Sequence, residues 1–440
     1  MGASEIVTIE RMSYGPDAIA HRSDGKALFV AGGAPGETVE VEMIEEKPSF
    51  ARAAVSLIIE SSPKRVRPAS PDDEACGTAP WQHLSYDAQL EAKRDHVVSA
   101  LIRTAHFDAG RAEEAVAACA PSKRQWGYRN KIEMAATTDA AGRFEVGFHR
   151  EGTNEVIPAS RTLLAHKSIE RAPKAVRGAI RYAQGASELG IYRIGVRHSQ
   201  KTGELEVALW TRPGAFPRNV FAKTLSAALK ATSVVRVLAD PGKERKIKGV
   251  EVLDGRGYWR ERIGDAEFST SAPSFFQVNT DQAQRLVKLV LEGLGDVEDL
   301  RVADLYAGGG TFSIPLALAG ADVVAIEAAG TSVRDLRFNA ELNGVYVGVF
   351  GGDSARELEH LGVLDALVVD PPRAGLAREM PGLIAQAAPE RVAYVSCDPQ
   401  TWARDVARLE EEGYRLQSAT PVDMFPQTYH VETVSLFNRV

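Results

Sequence analysis

From about residue 271 onward, short apolar runs alternate with amphipathic stretches, and this alternation constrains the fold more than any other feature of the chain. An expected helix over 281–294 leads to an expected strand over 301–305. Helix 311–319, strand 322–326, helix 331–342 and strand 365–369 follow. Helix 378–387, strand 391–395, helix 400–412 and a closing strand over 433–438 complete the expected series. Strands alternating with helices predict a doubly wound, mostly parallel sheet, a Rossmann-like α/β domain. Ligands of such sheets bind beyond the carboxyl ends of the strands. Asp304, Glu327, Asp370 and Cys397 all fall at or just after expected strand ends. One edge of the sheet therefore gathers several residues able to do chemistry.

Each motif at that edge has a physical reading. Gly308-Gly309-Gly310 follows a strand and precedes a helix, where glycines permit a tight turn and a close backbone approach to a ligand. Glu327 ends the next strand, where an acid holds ribose hydroxyls. A dinucleotide fingerprint would need a third glycine where Ser313 stands, so the pattern suits S-adenosylmethionine better than NAD. Asp370-Pro371-Pro372-Arg373 makes a rigid elbow, because two prolines fix φ and remove donors. Amino methyltransferases that act on adenine carry an aromatic residue after this elbow, and Arg373 stands there instead. Asp398-Pro399 reads as N-cap and first residue of a helix, which would put Cys397 at a positive helix end and favour its thiolate. Asp398 itself opposes that effect, so the sign is open. Glu432 lies in a β-like run, either as an exposed strand residue or as a buried acid.

Upstream, residues 5–60 alternate apolar and polar positions between Gly- and Pro-containing breaks, predicting a small OB-like β-barrel. A Pro-, Ser- and Asp-rich linker is expected over 61–80, then a helix over 86–107. Residues 125–270 mix strands with one expected helix over 222–231. The chain is thus expected to be multidomain: a β-barrel over 1–60, an α+β central domain over 61–270 (with helix 86–107 free to pack elsewhere) and an α/β domain over 271–440.

A net charge of −7 does not advertise a nucleic-acid partner. Basic clusters nevertheless occur at Lys64–Arg67, at Lys123-Arg124 with Arg129 and Lys131, and at Lys243–Lys248. Trp126 and Tyr128 interleave one of them and could stack bases, although core packing is the expected use of either ring. Three scattered cysteines make no disulfide framework, which fits reduced, cytoplasmic thiols. No apolar run has the length of a membrane span, and the first residues lack the basic and apolar regions of a secretory signal. Gly2 does not make a myristoylation site, because Ile6 stands where Ser or Thr is required.

With these residues assembled, the chain resembles the RNA uracil-C5 methyltransferase family, particularly its ribosomal-RNA branch, over nearly its whole length. Asp24–Val30 and Ala34–Glu37 resemble a TRAM domain, and Trp81–Tyr86 with Gln89, Leu90 and Lys93 is family-like. So are Tyr128–Lys131 and Phe275–Asn279. The resemblance implies that Gln277, Tyr306, Thr311, Glu327 and Asp370 contact S-adenosylmethionine, that Cys397 is the nucleophile and that Glu432 is the proton acceptor. The implied partner is RNA, ribosomal RNA (23S) before transfer RNA, because transfer-RNA members typically lack the TRAM domain. Many ribosomal-RNA members hold a [4Fe–4S] cluster on four cysteines. The corresponding positions are Ser70, Cys76, Ala79 and Ser160, so no iron–sulfur cluster and no other metal is expected. Two other readings compete: an amino methyltransferase on adenine or guanine, which needs no thiol, and a non-catalytic RNA-binding factor with a relic methyltransferase fold.

Overall fold

The structure, a computed structural model, describes residues 4–150, 152–185, 187–242 and 246–440. Lys243, Glu244 and Arg245 of the third basic cluster, and Gly2, lie outside the described residues.

Period-two alternation near the N-terminus yields a rolled six-stranded sheet, in the order Ser4–Thr8, Thr38–Glu46, Phe50–Glu60, Ala27–Ala31, Ala18–His21, Arg11–Met12. Its inner face buries Val7, Leu28, Val30, Val39 and Val41, and Trp81 and Leu84 from the next segment join this core. That segment is not a simple linker. It carries a short helix, Pro71–Cys76, capped by Ser70, and Arg65 bridges to Leu84.

The central domain is a seven-stranded sheet in the order Gly249–Gly255, Ser233–Leu238, Leu205–Thr211, Ile191–His198, Lys131–Thr138, Phe144–His149, Val156–Pro158. Two helices cover it, not the one expected from sequence. Arg218–Leu229 contributes Phe221 and Leu225 to the core, and Ala172–Gln184 contributes Val176 and Ile180. The second helix escaped notice because Ala, Lys and Arg dominate it and few large apolar residues mark its buried face.

The C-terminal sheet has seven strands in the order Val347–Gly351, Asp322–Glu327, Arg301–Leu305, Ala366–Val369, Arg391–Ser396, Glu432–Arg439, Tyr414–Val422. The first five are parallel, and the last two form an antiparallel hairpin against Arg391–Ser396. The strand order reverses between Arg301–Leu305 and Ala366–Val369, which creates the crevice that such sheets use for ligands. Both faces are covered, so the central strands are apolar almost throughout.

Two segments N-terminal to residue 271 help to build this core. The hairpin Trp259–Ile263 and Ala266–Thr270 packs Trp259 and Phe268 with Leu286, Val290 and Leu336. The helix Tyr86–Arg103 packs Val97, Val98 and Leu101 with Trp402 and Val406. A fully buried ion pair, Lys93 with Asp423, pins that helix to the loop before Glu432, and Tyr86 Oη donates to the same carboxylate at 2.7 Å. Among the described residues no helix is long and apolar enough to cross a membrane.

Candidate active site

Sheet register aligns one side of the candidate site. Leu305 pairs with both Ile326 and Val369. The residues that follow them, Tyr306, Glu327 and Asp370, therefore stand side by side at the carboxyl edge. Tyr306 opens the glycine turn in the left-handed region, with φ 64°, and Gly308 and Gly310 follow with φ 57° and 94°. A Cβ on Gly310 would lie 2.4 Å from Leu336 Cδ1 in a left-handed backbone conformation, so a side chain there would be both crowded and strained. A Cβ on Gly308 would meet nothing within 4 Å, so the turn faces open space there. Glu327 is tied to the turn: its two oxygens accept from Gly308 N at 2.8 Å and Ala329 N at 2.6 Å. Buried Asn339 braces the turn from behind, donating to Gly309 O at 2.9 Å while accepting from Ser269 N at 2.7 Å.

Asp304, beneath the turn, is fully buried. One of its oxygens accepts from Ser313 Oγ, and the other has no partner among the described residues. Burial pushes Asp304 up to about 7, and burial with the nearby Asp304 charge does the same to Asp370. Burial also raises the Tyr306 phenol, to about 12. An open glycine turn, an anchored acid and an orphaned carboxylate oxygen suit a ligand that brings hydroxyl and ammonium groups. Thr311 stands partly buried at the end of the turn. Gln277 is buried just before the helix Thr280–Leu294, and its carbonyl accepts from Asn130 Nδ2 at 2.8 Å. Thr311 thus belongs to the same turn as Tyr306, whereas this bond ties Gln277 to Asn130 of the central domain.

The other side of the candidate site is set by the antiparallel pairing of Arg391–Ser396 with Glu432–Arg439. Ser396 pairs with Thr433 at the end of this ladder, and Cys397 and Glu432 are the residues immediately beyond that pair. Asp398 caps the following helix, accepting from Gln400 N and Thr401 N at 3.0 Å each, and Pro399 is its first residue. The sign left open by the sequence is now visible. Burial, then Glu432, Asp370 and Asp398, push the half-buried Cys397 thiol up to about 12, and only Arg373 opposes them. Glu432 is buried, 5% exposed, and burial plus Asp370 hold it well above the usual carboxylate range, again against Arg373.

Two members of this cluster were missed in the sequence. Arg373, registered there only as the residue replacing an aromatic, is the cation facing both Cys397 and Glu432. Tyr14 comes from the N-terminal barrel and donates to the Cys397 carbonyl at 3.2 Å. No local pattern could have announced a contact between residues 383 positions apart.

Two cavities share Tyr429, and Cys397, Glu432 and Arg373 line neither. One, of about 480 Å³, lies between the central domain and the loop before Glu432, lined by Arg129, Lys131, Phe148, Phe275, Tyr429 and His430. The other, of about 430 Å³, separates the barrel from the catalytic domain and is lined by Arg11, Tyr14, Phe29, Arg52, Arg103 and Tyr429. Tyr128 has no part in either: it is 2% exposed and donates to Pro426 O at 3.3 Å.

The model of the tRNA (uracil-5-)-methyltransferase family matches residues 221–360 and 357–440, and the TRAM domain model matches residues 2–55. An RNA methyltransferase of Gloeobacter violaceus is 33% identical over all of this chain and 97% of its own length. The chain belongs to the uracil-C5 RNA methyltransferase family. A second relative, an RNA methyltransferase of Thermosynechococcus vestitus, is 32% identical across 99% of this chain and 98% of its own. Among solved structures, Pyrococcus abyssi tRNA (uracil-54, C5)-methyltransferase, in complex with S-adenosyl-L-homocysteine, has 28% identity and a TM-score of 0.75. That match covers 98% of this chain and 99% of the other. The protein is accordingly an RNA methyltransferase that uses S-adenosylmethionine, built from a TRAM domain, mixed sheets and a methyltransferase fold.

Proposed function

We propose that this enzyme methylates C5 of a uridine in RNA through a covalent adduct between Cys397 and C6 of the base. The observation that carries the reading is the placement of a thiol and a buried carboxyl, Cys397 and Glu432, immediately beyond the last pair of one strand ladder, next to Asp370 and Arg373. An amino methyltransferase would have no use for that pair. Tyr306, Glu327 and Asp370, with Gln277 and Thr311, are the proposed holders of S-adenosylmethionine, which supplies the methyl group.

The chain's own groups then have distinct tasks. Uracil C5 is a poor nucleophile until Cys397 Sγ adds to C6 and moves the C5–C6 electron pair toward O4 as an enolate. At rest the thiol holds its proton, and Arg373 is the cation that favours its loss. After C5 is alkylated, Glu432 takes the C5 proton and the electron pair re-forms the double bond as the thiol leaves. A carboxylate held above its usual range is a better match for this task than an exposed one, because its basicity lies nearer neutral pH. The target base must first leave its stack. The cleft at Phe275, Tyr429 and His430, with Arg129 and Lys131 at its side, offers aromatic faces and cations for an unstacked nucleotide.

For the target RNA, the TRAM domain supports 23S ribosomal RNA. The end-to-end similarity to the Pyrococcus abyssi transfer-RNA enzyme supports a second reading, 5-methyluridine formation in transfer RNA. Mapping 5-methyluridine in both RNA classes from cells lacking the protein separates them. The adduct is tested with RNA carrying 5-fluorouridine at the target. Fluorine cannot leave as a cation, so elimination stalls and the complex survives denaturing electrophoresis. Cys397→Ala should abolish it, and Cys119→Ala should not. Normal C5 methylation by Cys397→Ala would refute the mechanism.

A further inference from the structure

The positions corresponding to the cluster ligands of related enzymes do not fit a cubane. Only Cys76 offers a thiol, Ala79 offers no ligand atom, and Ser160 is exposed while Ser70, Cys76 and Ala79 are buried. A carboxylate occupies the middle of this region instead. Asp73 is 1% exposed. Its Oδ2 accepts from Ser70 Oγ at 2.6 Å and from Leu163 N at 2.8 Å. Its Oδ1 accepts from Thr78 Oγ1 at 2.8 Å and from Thr162 Oγ1 at 2.5 Å. Gln82 fixes Ser70 in turn, accepting from its N at 2.9 Å and donating to its O at 3.0 Å.

These bonds tie two segments distant in sequence, 70–82 and 162–164. The same segments supply Gly77, Thr78, Pro80, Thr162 and Leu164 to the wall of the 480 Å³ cleft that Tyr429 and His430 also line. We infer that Asp73 is a positioning residue: a hydrogen-bonded carboxylate clasp that holds the wall of the RNA cleft where related enzymes use an iron–sulfur cluster. The inference rests on the proposed use of that cleft for RNA. It makes cleft geometry independent of iron and of the Cys76 thiol. Charge-assisted hydrogen bonds within a buried site explain how one carboxylate can serve.

The test uses the full-length enzyme with a uridine-containing RNA and S-adenosylmethionine. Asp73→Asn cannot accept from all four donors, and the Leu163 N–H cannot rotate to find another partner. The RNA KM should rise roughly 10-fold or more, the equivalent of one lost charged hydrogen bond, with kcat and S-adenosylmethionine affinity within about 2-fold. Thr162→Val should shift KM in the same direction, and Thr162→Ser should restore it. Cys76→Ser should match wild type. If Asp73→Asn does not fold, the two Thr162 variants carry the test. Hydrogen exchange at the Leu163 amide should quicken in Asp73→Asn whether or not the enzyme acts on uridine. An inactive wild type would therefore sink the proposed function while leaving the clasp to be judged by exchange. Unchanged exchange and KM in Asp73→Asn would overturn the inference. So would a Cys76→Ser variant, or iron removal, that reproduces the Asp73→Asn phenotype.

Discussion

The resting protonation of Cys397 can be measured directly. With the thiol pushed up to about 12, roughly 3 in 10⁵ molecules carry thiolate at pH 7.5, against about one in ten for an ordinary thiol near 8.5. Alkylation by iodoacetamide, followed on the Cys397 peptide by mass spectrometry, should thus run on the order of a hundredfold slower than for a free thiol at that pH, the scarcity of thiolate being offset in part by the greater nucleophilicity of a more basic one. Partial burial also slows the reagent, but access scales the rate equally at every pH, whereas ionisation sets where the profile bends. The sign is that of an acid with a raised pKa: reactivity climbs with pH, and the logarithm of the rate should rise with unit slope through about pH 9.5 without a bend. Glu432→Gln removes the leading charge that raises the thiol, so its profile should bend at lower pH than wild type. Arg373→Ala removes the opposing cation and should move the bend upward. A bend near 8.5 in wild type, or a profile indifferent to Glu432→Gln, would show that burial and the neighbouring carboxyls do not govern this thiol.

Two other perturbations follow from buried charges and anchored acids. Lys93→Met leaves the fully buried Asp423 without its ion-pair partner and should cost about 3–5 kcal/mol in denaturant unfolding, whereas Lys93→Met with Asp423→Leu should recover part of the loss; equal stability of Lys93→Met and wild type would contradict the buried pairing. Glu327→Ala should weaken S-adenosylmethionine binding by about 1–3 kcal/mol in calorimetry, through loss of charge-assisted bonds to hydroxyls, and unchanged affinity in a folded variant would remove Glu327 from the site.

The catalytic sheet was legible where its elements carry their own signal. Strand 301–305, the helices around 281–294 and 400–412, and the Asp398 cap follow from periodicity and capping chemistry, and they position Asp304 and Cys397. Val347–Gly351, Ser354–Leu358 and Tyr414–Val422 were not foreseen. The first is a short, half-exposed edge strand, and the last has its alternation broken by a register shift between Leu416 and Ser418 and carries Pro421 near its end. That omission hid the site's most consequential feature. Glu432 alone reads as an ordinary charged strand residue. Its strand is inserted between Arg391–Ser396 and Tyr414–Val422, so both its edges are paired, and the start of the strand is walled in. Burial then raises its basicity, and the Ser396–Thr433 register puts it and Cys397 immediately beyond the same pair. Neither effect is a property of residues 429–434. Both depend on which strands flank them, information that lies in long-range pairing. The same limit explains Tyr14, whose role depends on how the barrel docks, and Arg373, which became a site residue only when the elbow was seen to face Glu432. Local chemistry marked Cys397 as the proposed nucleophile; the topology brought Glu432 and Arg373 to it and docked Tyr14 of the barrel on its carbonyl.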